Sequence, residues 1–248
     1  MSSPKNLLYT AKVCPYAARA ELALALAGIQ HETFQVDLFN KPEWYNKVNS
    51  ASKVPVLVTD VGSEDEFKLP ESLVIVEYIN DLTSSLFPSS SSPQFRAGSR
   101  YIVERYIQLV QPHYISTALR GDATCLPSLR AGLIEFNTLL QSFDSKQKRK
   151  GNFIQSQTNF GYADLNIAPF IARILSASKH GILPQSELGG HIPIHTEIEQ
   201  GVDGLERIKS WWDSVETVEA WQKVWNEEAY LEPAKRMVAQ REAARTNK

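Results

Sequence analysis

In the first part of the chain, short apolar runs alternate with longer stretches in which apolar residues recur every three to four positions. The short runs predict strands, at 6–10, 31–37, 54–59 and 67–69. The longer stretches predict helices, at 15–27, 42–48 and 72–82. Pro15 suits the first turn of a helix, and Gly28 suits the residue just past its end. The resulting order of βαβ, a short helix and ββα predicts an α/β domain.

The segment from Phe87 to Pro93 separates this part from the rest. Two prolines that enclose a run of serines suit neither a helix nor a central strand. Beyond it the apolar spacing predicts helices, at 95–119, 125–144, 162–179 and 203–224, a tail helix at 231–245 and a long loop at 181–202. We therefore predict an α/β domain over 1–83, a linker over 84–94 and an all-helical domain over 95–248.

Composition narrows the class of protein. Hydrophobic residues make up 43% of the chain and charged residues 22%, which suits a globular fold and excludes general disorder. The net charge of −2 argues against a nucleic-acid binder, which usually carries a basic excess. The chain has no apolar run long enough to span a membrane and no apolar core of a signal peptide at its start. We therefore expect no membrane partner. The two cysteines cannot form a disulfide scaffold, so we expect a reducing, cytoplasmic location.

Cys14 is the main candidate for chemistry. It stands between a predicted strand and a helix that starts at Pro15, where unpaired backbone N–H groups and the helix dipole favour a thiolate. The alternative is a small buried hydrophobe, which is the usual role of a free cysteine. Ala17 stands where a second thiol would allow an internal dithiol. A mixed disulfide at Cys14 would therefore need an outside thiol, such as glutathione, to resolve it.

A second group of residues suits a small peptide. The backbone before Pro55 can pair with an extended peptide by strand-like hydrogen bonds. Ser72, at a helix start, can bind a carboxylate, and Glu71 can accept from an α-amino group. Lys41 can meet a second carboxylate. Each residue has an ordinary structural alternative, and only their joint order favours a binding site.

The chain resembles the glutathione transferases, particularly the omega class and its fungal relatives. The motifs that carry the resemblance are Val13–Arg19, Asn40–Trp44, Lys53–Leu57 and Pro70–Ile79. The resemblance implies a thioredoxin-like N-terminal domain, an all-helical C-terminal domain, glutathione as cosubstrate, no metal and a homodimer. It also implies that Cys14 is the catalytic thiol and that Tyr16 flanks the glutathione.

The resemblance further implies how glutathione is held. Lys41 would bind the glycine carboxylate, and Val54 would pair with the cysteinyl backbone, with Pro55 in the cis form. Glu71 and Ser72 would hold the γ-glutamyl end. Two features depart from the family pattern: Gly161 replaces the usual Ser or Thr in a capping box that ends at Asp164, and the loop 181–202 is long.

Three classes of function remain open on these residues. The leading one is a thiol transferase, in which Cys14 attacks a glutathionyl mixed disulfide or an S-glutathionyl ketone. The second is a binding protein for flat aromatic molecules, held between the two domains by Tyr101, Arg105, Tyr106, Phe160, Phe170 and Arg173. In that site Phe170 would stack on the ligand and Arg173 would anchor it. Alternatively, Phe170 belongs to the core and Arg173 to a surface salt bridge. The third class is a structural module, which would not need the group of Lys41, Glu71 and Ser72.

The remaining polar clusters favour ordinary structural roles. Pro193 lies between His191 and His195, so the two histidines do not share a helical face and do not suit a metal pair. The basic run 146–150 is typical of a solvated loop.

Overall fold

The computed structural model describes residues 5–147, 152–184, 192–202 and 204–246. It divides the chain into two compact units, Met1–Ser90 with Glu219–Asn226, and Ser91–Val218 with Glu227–Lys248. The first division falls within the predicted linker. The return of Glu219–Asn226 to the first unit departs from the predicted boundaries, which place that segment in the second domain.

The described residues form four strands and ten α-helices. The strands are β1 Leu7–Thr10, β2 Glu32–Gln35, β3 Val56–Thr59 and β4 Phe67–Pro70. The helices are α1 Pro15–Ala27, α2 Ser72–Thr83, α3 Pro93–Leu109, α4 Gln111–Tyr114, α5 Leu126–Gln147, α6 Tyr162–Lys179, α7 Ile194–Gln200, α8 Glu206–Val215, α9 Glu219–Val224 and α10 Glu227–Thr246. Short 3₁₀ helices cover Glu43–Lys47 and Ala123–Cys125, and a π-helical turn covers Ile115–Leu119.

The first unit is a thioredoxin-like sheet with helices, in the predicted order of elements. The strand order is β2-β1-β3-β4, with β1 parallel to β2 and antiparallel to β3. The predicted hairpin of β3 and β4 is confirmed, because these two strands pair antiparallel. Gly28 ends α1 as predicted, with a φ of 66° that a side chain would disfavour. α1 packs against both α2 and α9. Cys14 lies directly before the first turn of α1.

The second unit is helical and is built around α6, which is buried from Tyr162 to Ser178. The stretch predicted over 95–119 is helical, but it is not one helix. α3 ends at Leu109, and after Val110 the chain continues as the short α4, which contains Pro112, and the π-helical turn. The single helix predicted over 203–224 is wrong, because α8 ends at Val215 and α9 is a separate helix in the first unit. The predicted loop 181–202 contains α7, although residues 185–191 lie outside the described part of the chain.

The capping box at the start of α6 works through its acidic half. Gly161 has no side chain to bond the helix, but its backbone N–H donates to Asp164 Oδ2 over 2.9 Å. The departure at Gly161 therefore leaves the acidic partner of the motif in place.

None of the helices among the described residues has both the length and the apolar content to cross a bilayer. Within the same residues, no group of three or more His, Cys, Asp or Glu side chains could hold a metal ion. His191 and the basic residues 148–150 lie outside the described part of the chain.

Candidate active site

A cavity of about 400 Å³ opens in the first unit. Its lining consists of Cys14, Tyr16, Leu38, Lys41, Asn49, Lys53, Val54, Pro55, Glu71 and Ser72. The cavity therefore brings together all seven residues that the sequence assigned to catalysis or to glutathione. Leu38, Asn49 and Lys53 were not predicted. Of these, Lys53 stood inside a quoted motif, and its position beside Val54 could have singled it out.

Cys14 occupies the N-cap of α1, directly before Pro15. Its backbone is extended, with φ −84° and ψ 117°, and its N–H donates to the carbonyl of Ala11 over 2.9 Å. The thiol is half-buried, and its Sγ lies 4.0 Å from the carbonyl oxygen of Val54. The sulfur therefore stands where the positive end of the helix dipole favours negative charge.

One side of Cys14 packs on an apolar cluster. The buried members are Ala11, Ala17, Val36, Tyr45 and Val54. This cluster fixes the turn before α1, so the sulfur is presented by a packed support rather than by a free loop.

Tyr16 follows Cys14 by two residues and also lines the cavity. Burial raises the pKa of its phenol, while the charge of Arg19 lowers it and Cys14 raises it. The Arg19 guanidinium lies 5.5 Å from the centre of the Tyr16 ring. At neutral pH the phenol thus stays protonated and can donate a hydrogen bond into the cavity.

The Val54–Pro55 peptide bond is cis, as the resemblance implies. The preceding carbonyl of Lys53 accepts hydrogen bonds from the Tyr45 hydroxyl at 2.9 Å and from Asn49 Nδ2 at 2.8 Å. These two bonds hold the segment that lines the cavity. Burial raises the pKa of Tyr45 far above its ordinary value, with smaller contributions from Tyr9 and Cys14, so its hydroxyl remains a donor.

Two lysines contribute positive charge to the lining. Lys41 Nζ donates to the carbonyl of Ser52 over 2.6 Å, which pins its ammonium group beside the segment that leads to the cis bond. Lys53 is the residue after Ser52, and it lines the same cavity as Lys41. This part of the site suits a carboxylate.

The opposite charge pattern occurs at the start of α2. Glu71 precedes the helix with φ 72° and ψ 113°, a conformation that is uncommon for a residue with a side chain and is typical of functional sites. Ser72 begins the helix and is 5% exposed. A carboxylate side chain and a helix N-terminus therefore adjoin, and together they suit a group that carries both an ammonium and a carboxylate.

The six residues predicted to bind aromatic ligands all lie in the second unit, but they differ in solvent exposure. Tyr101 is 50% exposed on α3. Arg105 donates to Glu135 over 3.1 Å and remains partly accessible. Phe160 is half-buried, with its ring centre 5.9 Å from that of Phe153.

The other three predicted ligand residues are corrected by their burial. Tyr106 and Phe170 are fully buried, and their ring centres lie 6.0 Å apart. Arg173 is 2% exposed, donates from Nη1 to the carbonyl of Pro169 over 2.8 Å and lies over the ring of Tyr230. Phe170 thus belongs to the core. Arg173 is neither an exposed anchor nor a surface salt-bridge residue, because its charge is held inside the helical unit.

Comparison with known proteins finds relatives of both units. Residues 8–85 match the model of the glutathione S-transferase N-terminal domain. The crystal structure of glutathione transferase Omega 1C from Trametes versicolor is 31% identical, with a TM-score of 0.78 over 95% of this chain and 96% of that one. Omega 2S from the same fungus, in complex with 2,4-dihydroxybenzophenone, is 25% identical, with a TM-score of 0.78 over 94% and 99%. A probable glutathione transferase omega-2 of Caenorhabditis briggsae is 26% identical over 216 residues, which are 85% of this chain and 77% of that protein.

Proposed function

The chain belongs to the glutathione transferase family, and we propose that it is a thiol transferase of the omega type that uses Cys14 as its nucleophile. The observation that carries this proposal is the place of Cys14 in the cavity. Its sulfur stands at the N-terminus of α1, among lining groups that suit both ends of a small peptide. Relatives that use a hydroxyl at this point would activate the thiol of glutathione itself, whereas a cysteine can form a bond with it.

Glutathione would lie along the segment that ends in the cis bond. The cysteinyl backbone of the ligand would pair with the backbone of Val54, which the bonds to Lys53 hold in place. Its glycine carboxylate would face Lys41, with Lys53 as a second cation. Its γ-glutamyl ammonium would face Glu71, and its α-carboxylate would face Ser72 and the start of α2.

The first chemical step breaks a mixed disulfide. The Cys14 thiolate attacks the glutathione sulfur, a bond forms between these two sulfurs, and the substrate leaves as a thiolate that takes a proton from solvent. On an S-glutathionyl ketone the same attack would break the carbon–sulfur bond, and the enolate that leaves would take the proton.

The second step restores the enzyme. A second glutathione loses its thiol proton, attacks the glutathione sulfur bound to Cys14 and leaves as glutathione disulfide, with Cys14 again a thiolate. Ala17 provides no internal thiol for this step, so the external glutathione is required.

The proposal is tested with the mixed disulfide of glutathione and 2-mercaptoethanol as substrate. Cys14→Ser should abolish turnover, whereas the matched variant Cys125→Ser should retain it. Mass spectrometry of Cys125→Ser after exposure to the substrate, without free glutathione, should find one glutathionyl group on Cys14. Turnover that persists in Cys14→Ser at the wild-type rate would exclude this mechanism.

A second candidate function is the binding of flat aromatic molecules. It is favoured by the Trametes relative that was crystallised with 2,4-dihydroxybenzophenone. In this chain the accessible candidates on α3 are Tyr101 and Arg105. Titration of the same benzophenone into Cys14→Ser protein separates this function from catalysis, and Tyr101→Ala should weaken the binding if α3 contributes. An unchanged affinity in Tyr101→Ala would remove that residue from the site.

A homodimer and a cytoplasmic location are also inferred from the family resemblance. Sedimentation of the purified chain tests the first, and fractionation of cells tests the second.

A further inference from the structure

Arg19 stands behind the cavity rather than in it. It lies on α1 and is 1% exposed, and it is absent from the described lining of the cavity. Its Nη1 lies 3.5 Å from Ser72 Oγ, within reach of donating a hydrogen bond. Its guanidinium also lies 5.5 Å from the centre of the Tyr16 ring. A buried cation thus lies beside two residues of the cavity lining without lining the cavity itself.

The contact with Ser72 limits the directions in which the serine hydroxyl can point its hydrogen. A guanidinium has donors and no acceptor, whereas a hydroxyl has one hydrogen and two lone pairs. When Arg19 donates to a lone pair of Ser72, the hydrogen of that hydroxyl cannot point back at Arg19. It remains available to an acceptor in the cavity that Ser72 lines, so Ser72 can donate to an incoming anion.

The charge of Arg19 acts in the same direction. It adds to the positive end of α2, at the place where a carboxylate would lie against Ser72. Its influence on the lining is visible at Tyr16, where it opposes the upward effect of burial on the pKa. Glu71, directly before Ser72, supplies the negative charge that an ammonium group needs. Glu71, Ser72 and the start of α2 therefore match the charge pattern of an amino-acid head group, with its ammonium and its carboxylate.

We propose that Arg19 is a positioning residue which, through Ser72, makes the site selective for ligands with an α-carboxylate at the γ-glutamyl end. The inference rests on the proposed glutathione pose. It goes beyond that pose by assigning part of the carboxylate recognition to a residue that does not touch the ligand.

Three peptides separate this role from a merely structural one. Glutathione carries both head-group charges, glutaryl-Cys-Gly keeps the carboxylate without the ammonium, and 4-aminobutyryl-Cys-Gly keeps the ammonium without the carboxylate. Arg19→Gln should raise the Kd of the first two peptides about tenfold, the scale of one charge-assisted hydrogen bond. It should change the Kd of 4-aminobutyryl-Cys-Gly less than about twofold. Arg19→Lys keeps the buried cation and should show the same selectivity with a smaller loss.

The controls distinguish the inference from the pose. Ser72→Ala should weaken glutathione binding, and adding Arg19→Gln to it should cost little more, because both act on one contact. Arg207→Lys changes an arginine of similar burial in the second unit, which binds Asp144 and the carbonyl of Phe153, and should leave all three Kd values unchanged. If the wild-type chain does not bind glutathione, or if Ser72→Ala binds it normally, the proposed pose fails and the inference fails with it.

Two results would overturn the inference while leaving the pose intact. The first is an equal loss of affinity for all three peptides in the Arg19 variants, and the second is no loss at all. Should Arg19→Gln and Arg19→Lys not fold, a crystal structure of the wild-type chain with glutathione decides the matter. Ser72 Oγ should then lie within hydrogen-bond distance of both Arg19 and the ligand carboxylate, and a ligand carboxylate bonded elsewhere would contradict the proposal.

Discussion

Trp211 donates from its indole Nε1 to Asp164 Oδ1 over 2.7 Å in the interior of the helical unit. The same oxygen accepts the backbone N–H of Ile154 at 2.8 Å, and the other oxygen accepts that of Gly161. A single carboxylate thus joins α8, the segment before α6 and the N-terminus of α6. Asp164 is completely buried, so its state of protonation affects stability directly.

The first prediction concerns the pH dependence of unfolding. Burial raises the pKa of Asp164 to about 6, against the opposing effect of the bonds from Ile154, Gly161 and Trp211. In the unfolded chain the carboxyl regains its ordinary pKa, so between the two values the native state binds more protons. The contribution of Asp164 to the free energy of unfolding should therefore fall, by about 3 kcal/mol, as the pH rises from about 4 to about 6.

Asp164→Asn removes this titration. The difference in urea midpoint between wild type and Asp164→Asn should change in favour of the variant as the pH rises across that range. It should be constant above about pH 7. Profiles of wild type and variant that run parallel throughout would show that Asp164 does not titrate there.

The second prediction concerns thiol reactivity. Cys14 should react with iodoacetamide before Cys125 below about pH 8, because the N-terminus of α1 favours its thiolate. The thiol of Cys125 instead donates to Asp122 Oδ2 over 3.4 Å, so it is already engaged in a hydrogen bond. Peptide mapping after timed labelling measures both rates in one sample. Faster labelling of Cys125, with Cys14 inert, would contradict the assignment.

The third prediction concerns the γ-glutamyl end of the ligand. Ser72→Ala should weaken glutathione binding by about 1–3 kcal/mol, the usual cost of losing a hydrogen bond to a charged group. Calorimetry measures the loss directly. Ser92 provides a matched control, because its side chain also serves a helix start, accepting from the N–H of Phe95 at the N-cap of α3. Ser92→Ala should reduce stability slightly and leave the affinity unchanged.

The fourth prediction follows from the corrected place of Phe170. Because the ring is fully buried beside Tyr106 and Tyr114, Phe170→Ala should lower the free energy of unfolding by about 3–5 kcal/mol. Under conditions where the variant stays folded, its affinity for 2,4-dihydroxybenzophenone should equal that of wild type. A wild-type stability together with a lost affinity would return Phe170 to the ligand site.

The elements around the cavity could be predicted because local signals mark their ends. Pro15 and Gly28 delimit α1, and Cys14, at the helix start, lines the cavity. The break of the long helix at Val110 could not be predicted in the same way. Val103, Tyr106, Val110 and Tyr114 are all buried at helical spacing, so the apolar pattern continues across the break. Only Pro112 signals the interruption.

Buried charges were the other feature that the sequence did not reveal. Arginine is mostly found at the surface, so an exposed role was the natural prediction for Arg173. Its partners, the carbonyl of Pro169 and the ring of Tyr230, are identified only once the helices are packed. The same holds for Arg19, because its contact with Ser72 joins residues that are far apart along the chain.

The packing of α9 on α1 also bears on the order in which the protein is made. Synthesis runs from the N-terminus, so the sheet, α1 and α2 leave the ribosome long before Glu219–Asn226 exists. α9 carries the buried Trp221. The surface of α1 on which α9 packs stays uncovered while α3 to α8 are being translated. The first unit is therefore completed only after Ser91–Val218 of the second unit has been translated. A nascent chain cannot finish it by folding one domain after the other, and a fragment that stops at Ser90 lacks its final helix.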